Sequence, residues 1–148
     1  MRLTAVLSAA VVAAVAFGAT AVVAQQNPIE ARQALMKDNG KHAKVGAAMV
    51  KGEKPFDLAA AKEIFVTFEK SAKAADLFPP DSKTGHDTTA SPKIWEEMDK
   101  FKALFVKFAA DAKKAGASVT DLDSFKTAFS AMGKECGGCH RPYRVKKN

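Results

Sequence analysis

Apolar residues recur at steps of three and four through four segments of the chain, and no stretch alternates with the period of two that marks a strand. The first segment is expected to start with Asn27 as N-cap and Pro28 at the first helical position, and to run to about Val50 before Lys51-Gly52. Its apolar face is the least regular: Ile29, Leu35, Met36, Ala43, Gly46, Met49 and Val50. A loop at Gly52-Glu53-Lys54-Pro55 leads to Asp57, which can cap a second helix carrying Leu58, Ala61, Phe65, Phe68, Ala72 and Ala75. That helix ends before Phe78-Pro79-Pro80, and residues 79–90 are polar and form the longest connection. Ser91 and Pro92 open a third helix with Ile94, Met98, Phe101, Phe105, Phe108, Ala112 and Ala115 on one stripe, closed by Gly116. A fourth begins near Thr120, and its stripe is Leu122, Phe125, Phe129, Met132, Cys136, Cys139 and Tyr143. Four amphipathic helices with short first and third connections predict an all-α, antiparallel up-down-up-down four-helix bundle.

Both cysteines of the chain fall on the inward stripe of the fourth helix, within Cys136-Gly137-Gly138-Cys139-His140. Cys-x-x-Cys-His is the attachment pattern of a c-type haem. Two thiols three residues apart can form thioether bonds to the porphyrin's two vinyl groups, and His140 then offers an imidazole nitrogen to the iron. Gly137 and Gly138 are expected to let the ring lie close to the backbone. A redox disulfide would normally open a helix of a βαβ unit, for which there is no strand pattern. A zinc site wants four ligands, and only His42 and His86 remain to supply nitrogen. The motif predicts covalent haem c, one per chain.

Composition and charge add the setting. Residues 3–24 carry no charge and are rich in Ala and Val, after Met1-Arg2 and before Gln25-Gln26. This is the pattern of a secretory signal cleaved after Ala24. The rival reading is a membrane anchor, since the run is just long enough to span, but its Ala-rich composition and the polar residues after it favour cleavage. Removing those 24 residues from 148 leaves 124, one domain at 25–148, and takes the net charge from +7 to +6. Export suits a haem attached outside the cytoplasm, and in a bacterium the destination is the periplasm. A moderately basic surface fits acidic redox partners and, without a clustered basic face, speaks against nucleic acid. No nucleophile–base pair or paired carboxylates surround the motif, so no enzyme is expected.

A haem motif at the C-terminal end of a bundle's last helix resembles the class II cytochromes c, the cytochrome c′ family. The matching stretches are Arg32-Gln33-Ala34-Leu35-Met36-Lys37, Lys51-Gly52-Glu53-Lys54-Pro55-Phe56-Asp57, Ser91-Pro92-Lys93-Ile94-Trp95 and residues 136–144. The run Leu35-Met36-Lys37-Asp38-Asn39-Gly40 and the stretch from Lys51 to Asp57 resemble the low-spin cytochrome c-556 branch most closely. The resemblance implies electron transport, with a methionine of the first helix, here Met36, as sixth iron ligand. In the other branch the iron is five-coordinate and high-spin, which implies capture of nitric oxide or carbon monoxide as the alternative. The resemblance also implies that Arg32 meets a haem propionate, that Arg144 lines the proximal pocket, and that a homodimer through the first two helices is possible.

The residues themselves leave competitors. Met36 can be core filler, as methionine on a helix stripe usually is, and Met49, Met98 and Met132 are other thioethers. Met132 is poorly placed, one turn before Cys136 on the same helix. His42 lies nearly two turns beyond Met36, and His86 falls in the long connection, expected to be solvated. Arg32 can equally be a solvated surface residue. Tyr143 and Phe129 are expected to pack on the haem, and Trp95 to pack beside the third helix.

Overall fold

The structure, a computed structural model, describes residues 27–146. The expected signal at 1–24 therefore lies outside the described residues. Helix α1 spans Pro28–Val50 and begins where expected, with Asn27 Oδ1 accepting the N–H of Ile29 at 2.9 Å and of Glu30 at 3.4 Å. Gly52, at φ +75°, makes the turn that follows. Helix α2 spans Leu58–Ser71, capped by Asp57, and then tightens into a 3₁₀ turn over Ala72–Asp76. The expected single helix through Ala75 is thus broken in pitch. The Ser71 hydroxyl donates to the Phe68 carbonyl at 2.7 Å and competes with the backbone at that point.

The third expected helix is also divided. A single turn, α3 (Lys93–Glu96), precedes α4 (Met98–Ser118), and Glu97 between them sits at φ −125°, ψ 40°. The break has a tertiary counterpart, because the Glu97 carboxylate accepts the Tyr143 hydroxyl at 2.9 Å. Helix α4 also runs past Gly116, which does not close it. A Cβ there would stand 3.2 Å from Cβ of Phe65, so the glycine serves close packing of α4 on α2. Helix α5 (Leu122–Tyr143) opens on a capping box between Asp121 and Ser124.

Around the bundle α1 packs on α2, α2 on α4, α4 on α5, and α5 returns to α1 through the loosest seam. Among the described residues there are no strands; the sole ladder element is one antiparallel bridge between Ala90 and Arg144. The apolar interior is in two parts. One is a solid core of Met49, Ala61, Ile64, Phe65, Phe68, Ala112, Phe125, Ala128 and Met132, with Val119 closing its end. The second, smaller cluster of Ile94, Phe101 and Tyr143 lies at the other end of the bundle. Between the two the helices do not close on one another.

Candidate haem site

The space between the two cores is a cavity of about 740 Å³, within the ~300–1,000 Å³ usual for ligand and cofactor sites. Phe68, Phe101, Leu104, Phe105 and Phe108 line it. The helical stripe puts Phe105 and Phe108 on a packed seam, yet both are only half-buried. They face open volume, and a large apolar group there would complete their burial.

Every site residue expected from the sequence borders this one cavity: Arg32, Met36, Cys136, Cys139, His140 and Arg144. Their convergence follows from antiparallel packing, which lays the first half of α1 beside the last turns of α5. Cys136, Cys139, His140 and Tyr143, at helical spacing, present one face of α5, and Arg32, Met36, Asn39 and Ala43 present the facing wall of α1. Both thiols are half-buried and unpaired. Burial is the main cause holding them above their ordinary pKa, with the Glu135 charge adding to Cys136 and Cys136 itself to Cys139. Desolvation, and then the Arg144 cation, holds His140 below its ordinary value, which favours the neutral imidazole that can bind a metal.

These residues fit haem c. Two thiols and an imidazole stand on one wall, a thioether on the opposite wall, and aromatic rings between them. Bound there, haem iron takes up and releases one electron.

The other residues singled out in the sequence fall in several places. Met49 and Met132 lie in the solid core and Met98 against the smaller cluster, so Met36 is the methionine that borders the cavity. His42 is turned along its own helix toward the carbonyl of Asp38 at 3.1 Å. His86 is exposed but engaged, with Nδ1 3.1 Å from a Glu30 oxygen and Nε2 3.0 Å from Nδ2 of Asn27. Phe129 packs against the solid core and over Gly46, away from the cavity, whereas Tyr143 does line it. Gly137 and Gly138 are absent from the cavity wall, and a Cβ on either would meet no atom within 4 Å. No neighbour in the protein demands glycine there. Trp95 packs as expected and also donates from Nε1 to the carbonyls of Phe78 (3.0 Å) and Pro79 (3.2 Å).

Arg32 departs furthest from expectation. Its side chain is neither solvated nor free, being 5% exposed. Nη1 donates to the Leu77 carbonyl (2.7 Å) and Ser82 Oγ (2.8 Å). Nη2 donates to the Ser82 carbonyl (2.8 Å) and Thr88 Oγ1 (3.0 Å). Ser82 and Thr88 have no signal in the sequence, since a hydroxyl in a polar loop resembles any other. Asn39, equally silent in the sequence, donates to Ser71 Oγ at 2.8 Å and leaves its own Oδ1 buried without a partner.

A four-helix bundle with Cys-x-x-Cys-His at the end of its last helix, opening on an apolar cavity, defines a c-type haem protein. The profile of the Cytochrome C′ family matches residues 27–144, and the chain belongs to that family. Proteins of this family carry covalently bound haem c, and so does this one. The chain is 39% identical over 142 residues to cytochrome c-556 of Rhodopseudomonas palustris, covering 93% of this chain and 95% of the relative. It is 42% identical over 135 residues to cytochrome c′ of the same organism, covering 90% and 92%. The solved structure of cytochrome c′ from R. palustris superposes with a TM-score of 0.80 at 41% identity, covering 84% of this chain and all of that one. A nitric oxide complex of a cytochrome c prime mutant from Alcaligenes xylosoxidans superposes at 0.70 with 28% identity, covering 80% and 94%. The chain is thus a haem-carrying cytochrome with relatives in both branches.

Proposed function

We propose that the protein is a periplasmic one-electron carrier whose haem is held by thioethers at Cys136 and Cys139, with His140 and Met36 as the two axial ligands. The observation that supports it best is the position of Met36, on the wall of α1 that faces Cys139 and His140 across the cavity. A neutral, soft thioether opposite an imidazole favours ferrous iron more than two nitrogens do, which raises the potential. The surrounding phenylalanines exclude water, so little solvent must reorganise when the charge on the iron changes. Arg144 stands on the same wall as His140 and contributes positive charge beside the iron's ligand. None of these residues has a catalytic role in this reading.

Residues 1–24 serve as the export signal in this reading. Among the described residues no helix is long and apolar enough to cross a membrane. Its partners are acidic redox proteins drawn to the excess positive charge.

The deciding experiment is a spectrum of the ferric holoprotein beside Met36→Leu. The wild type should be six-coordinate and low-spin, and the variant high-spin, with a lower potential and ready binding of carbon monoxide to the ferrous form. A second reading, capture of nitric oxide or carbon monoxide at an open sixth position, draws support from the relative solved with nitric oxide. A wild type already high-spin and quick to bind carbon monoxide would select it.

A further inference from the structure

We infer that Arg32 is a positioning residue: its guanidinium clamps the connection at 77–91 against α1, so that Thr88, Thr89 and Ala90 stand as a fixed wall of the cavity. The inference rests on the reading that the haem lies in this cavity. A guanidinium carries two hydrogens on each terminal nitrogen and one on Nε. All four terminal hydrogens are directed to acceptors in the connection, at 2.7, 2.8, 2.8 and 3.0 Å. The flat face of the group lies over the Phe78 ring, 4.3 Å from its centroid. Every acceptor is neutral, and the bidentate fork that would grip a carboxylate is already occupied.

The connection needs such a clamp. Gly85, His86 and Asp87 follow one another at φ 96°, 45° and 54°, and the two non-glycine residues are held in a costly region of backbone space. Strain of that kind persists only where the surroundings over-determine it. Besides Arg32, Gln33 donates to the His86 carbonyl at 3.0 Å. At the far side the Ser91 N–H donates to the Tyr143 carbonyl and the Val145 N–H to that of Thr89, tying the connection to the end of α5 just past the histidine of the haem motif. The clamp therefore links both helices that flank the cavity, α1 and α5, through one strap.

The test uses the holoprotein with Arg32→Gln, Arg32→Lys and the double variant Ser82→Ala/Thr88→Ala, which leaves the charge in place. Amide hydrogen exchange of residues 82–91 and the midpoint potential against pH are measured on each. Exchange is expected to quicken by roughly tenfold or more in Arg32→Gln, as loss of charged hydrogen bonds to the strap implies. Lysine, with one nitrogen, cannot span the four acceptors, so it should not rescue. The double variant should quicken the same amides to a smaller degree and move the potential in the same direction as Arg32→Gln. Unchanged exchange in all three, with a pH-dependent potential shift in Arg32→Gln alone, would overturn the inference and make Arg32 the partner of a haem propionate. The exchange readout does not depend on the iron's sixth ligand, so failure of Met36 as ligand and failure of the clamp are separable.

Discussion

At the residue scale the decisive groups are the two thiols, and their chemistry is testable without knowing the sixth ligand. Cys136 and Cys139 both open onto the cavity, so each can reach one vinyl group. Replacing either by alanine should sharply reduce mature holoprotein, because Phe105 and Phe108 then lose the apolar surface that would cover them. Acidified acetone should leave the haem of the wild type attached. Extraction of free haem from it would refute the covalent attachment. Two glycines carry opposite expectations. A Cβ at Gly46 would lie 2.5 Å from Cε2 of Phe129, so Gly46→Ala should destabilise by roughly 1–3 kcal/mol, the usual cost of overpacking. Gly133 sits exposed in α5 with nothing within 4 Å of such a Cβ. Gly133→Ala should therefore stabilise by roughly 0.5–1 kcal/mol through helix propensity alone. Thermal melts of the two variants would show opposite signs.

At the scale of elements, the ends of helices are where local chemistry acts most directly. The Asp121 carboxylate accepts the backbone N–H of Ser124 at 2.8 Å and its hydroxyl at 2.7 Å. These bonds, the backbone one foremost, hold its pKa below the ordinary 3.8. A depressed folded-state pKa contributes stability that is present above the unfolded value and is lost as pH falls through the folded one. Asp121→Asn keeps an acceptor but does not titrate. Its melting temperature should fall less steeply than that of the wild type below about pH 4. An identical slope in the two proteins would show that the cap does not contribute to acid sensitivity.

At the scale of the whole molecule the charge is unevenly neutralised. Lys51, Lys70, Lys93, Lys100, Lys102, Lys107 and Lys126 are engaged by carboxylates. Lys37, Lys41 and Lys44 of α1 and Lys134, Arg141 and Arg144 of α5 take no part in the ion pairs among the described residues. Lys62, Lys73, Lys113 and Lys114 are likewise outside those pairs, so the unpaired positive charge is spread around the bundle, and among these lysines it is Lys37 that borders the cavity, where an electron would enter or leave. Association with an acidic redox partner should slow as salt shortens the Debye length from about 30 Å to about 10 Å. Lys37→Glu should lower the association rate more than Lys113→Glu on α4. A rate indifferent to salt would show that this surface does not steer the encounter.

By itself the sequence determined the elements and the chemistry carried in local order. Helical periodicity, Asn27, Asp57 and the Cys136–His140 motif act over a few residues, and such signals survive without knowledge of the rest of the chain. The expected export signal at 1–24 is a reading of the same local kind and lies outside the described residues. Tertiary structure alone decided which apolar residues pack and which line a cavity, because Phe65 and Phe105 are indistinguishable along a stripe. It also decided the breaks at Ser71 and Glu97, where a side chain bonds in competition with the helix or across to another one. The partners of Arg32 belong to this second kind. A buried guanidinium takes whatever acceptors the fold brings to it, and Leu77, Ser82 and Thr88 lie 45 to 56 residues away along the chain, where no spacing rule reaches.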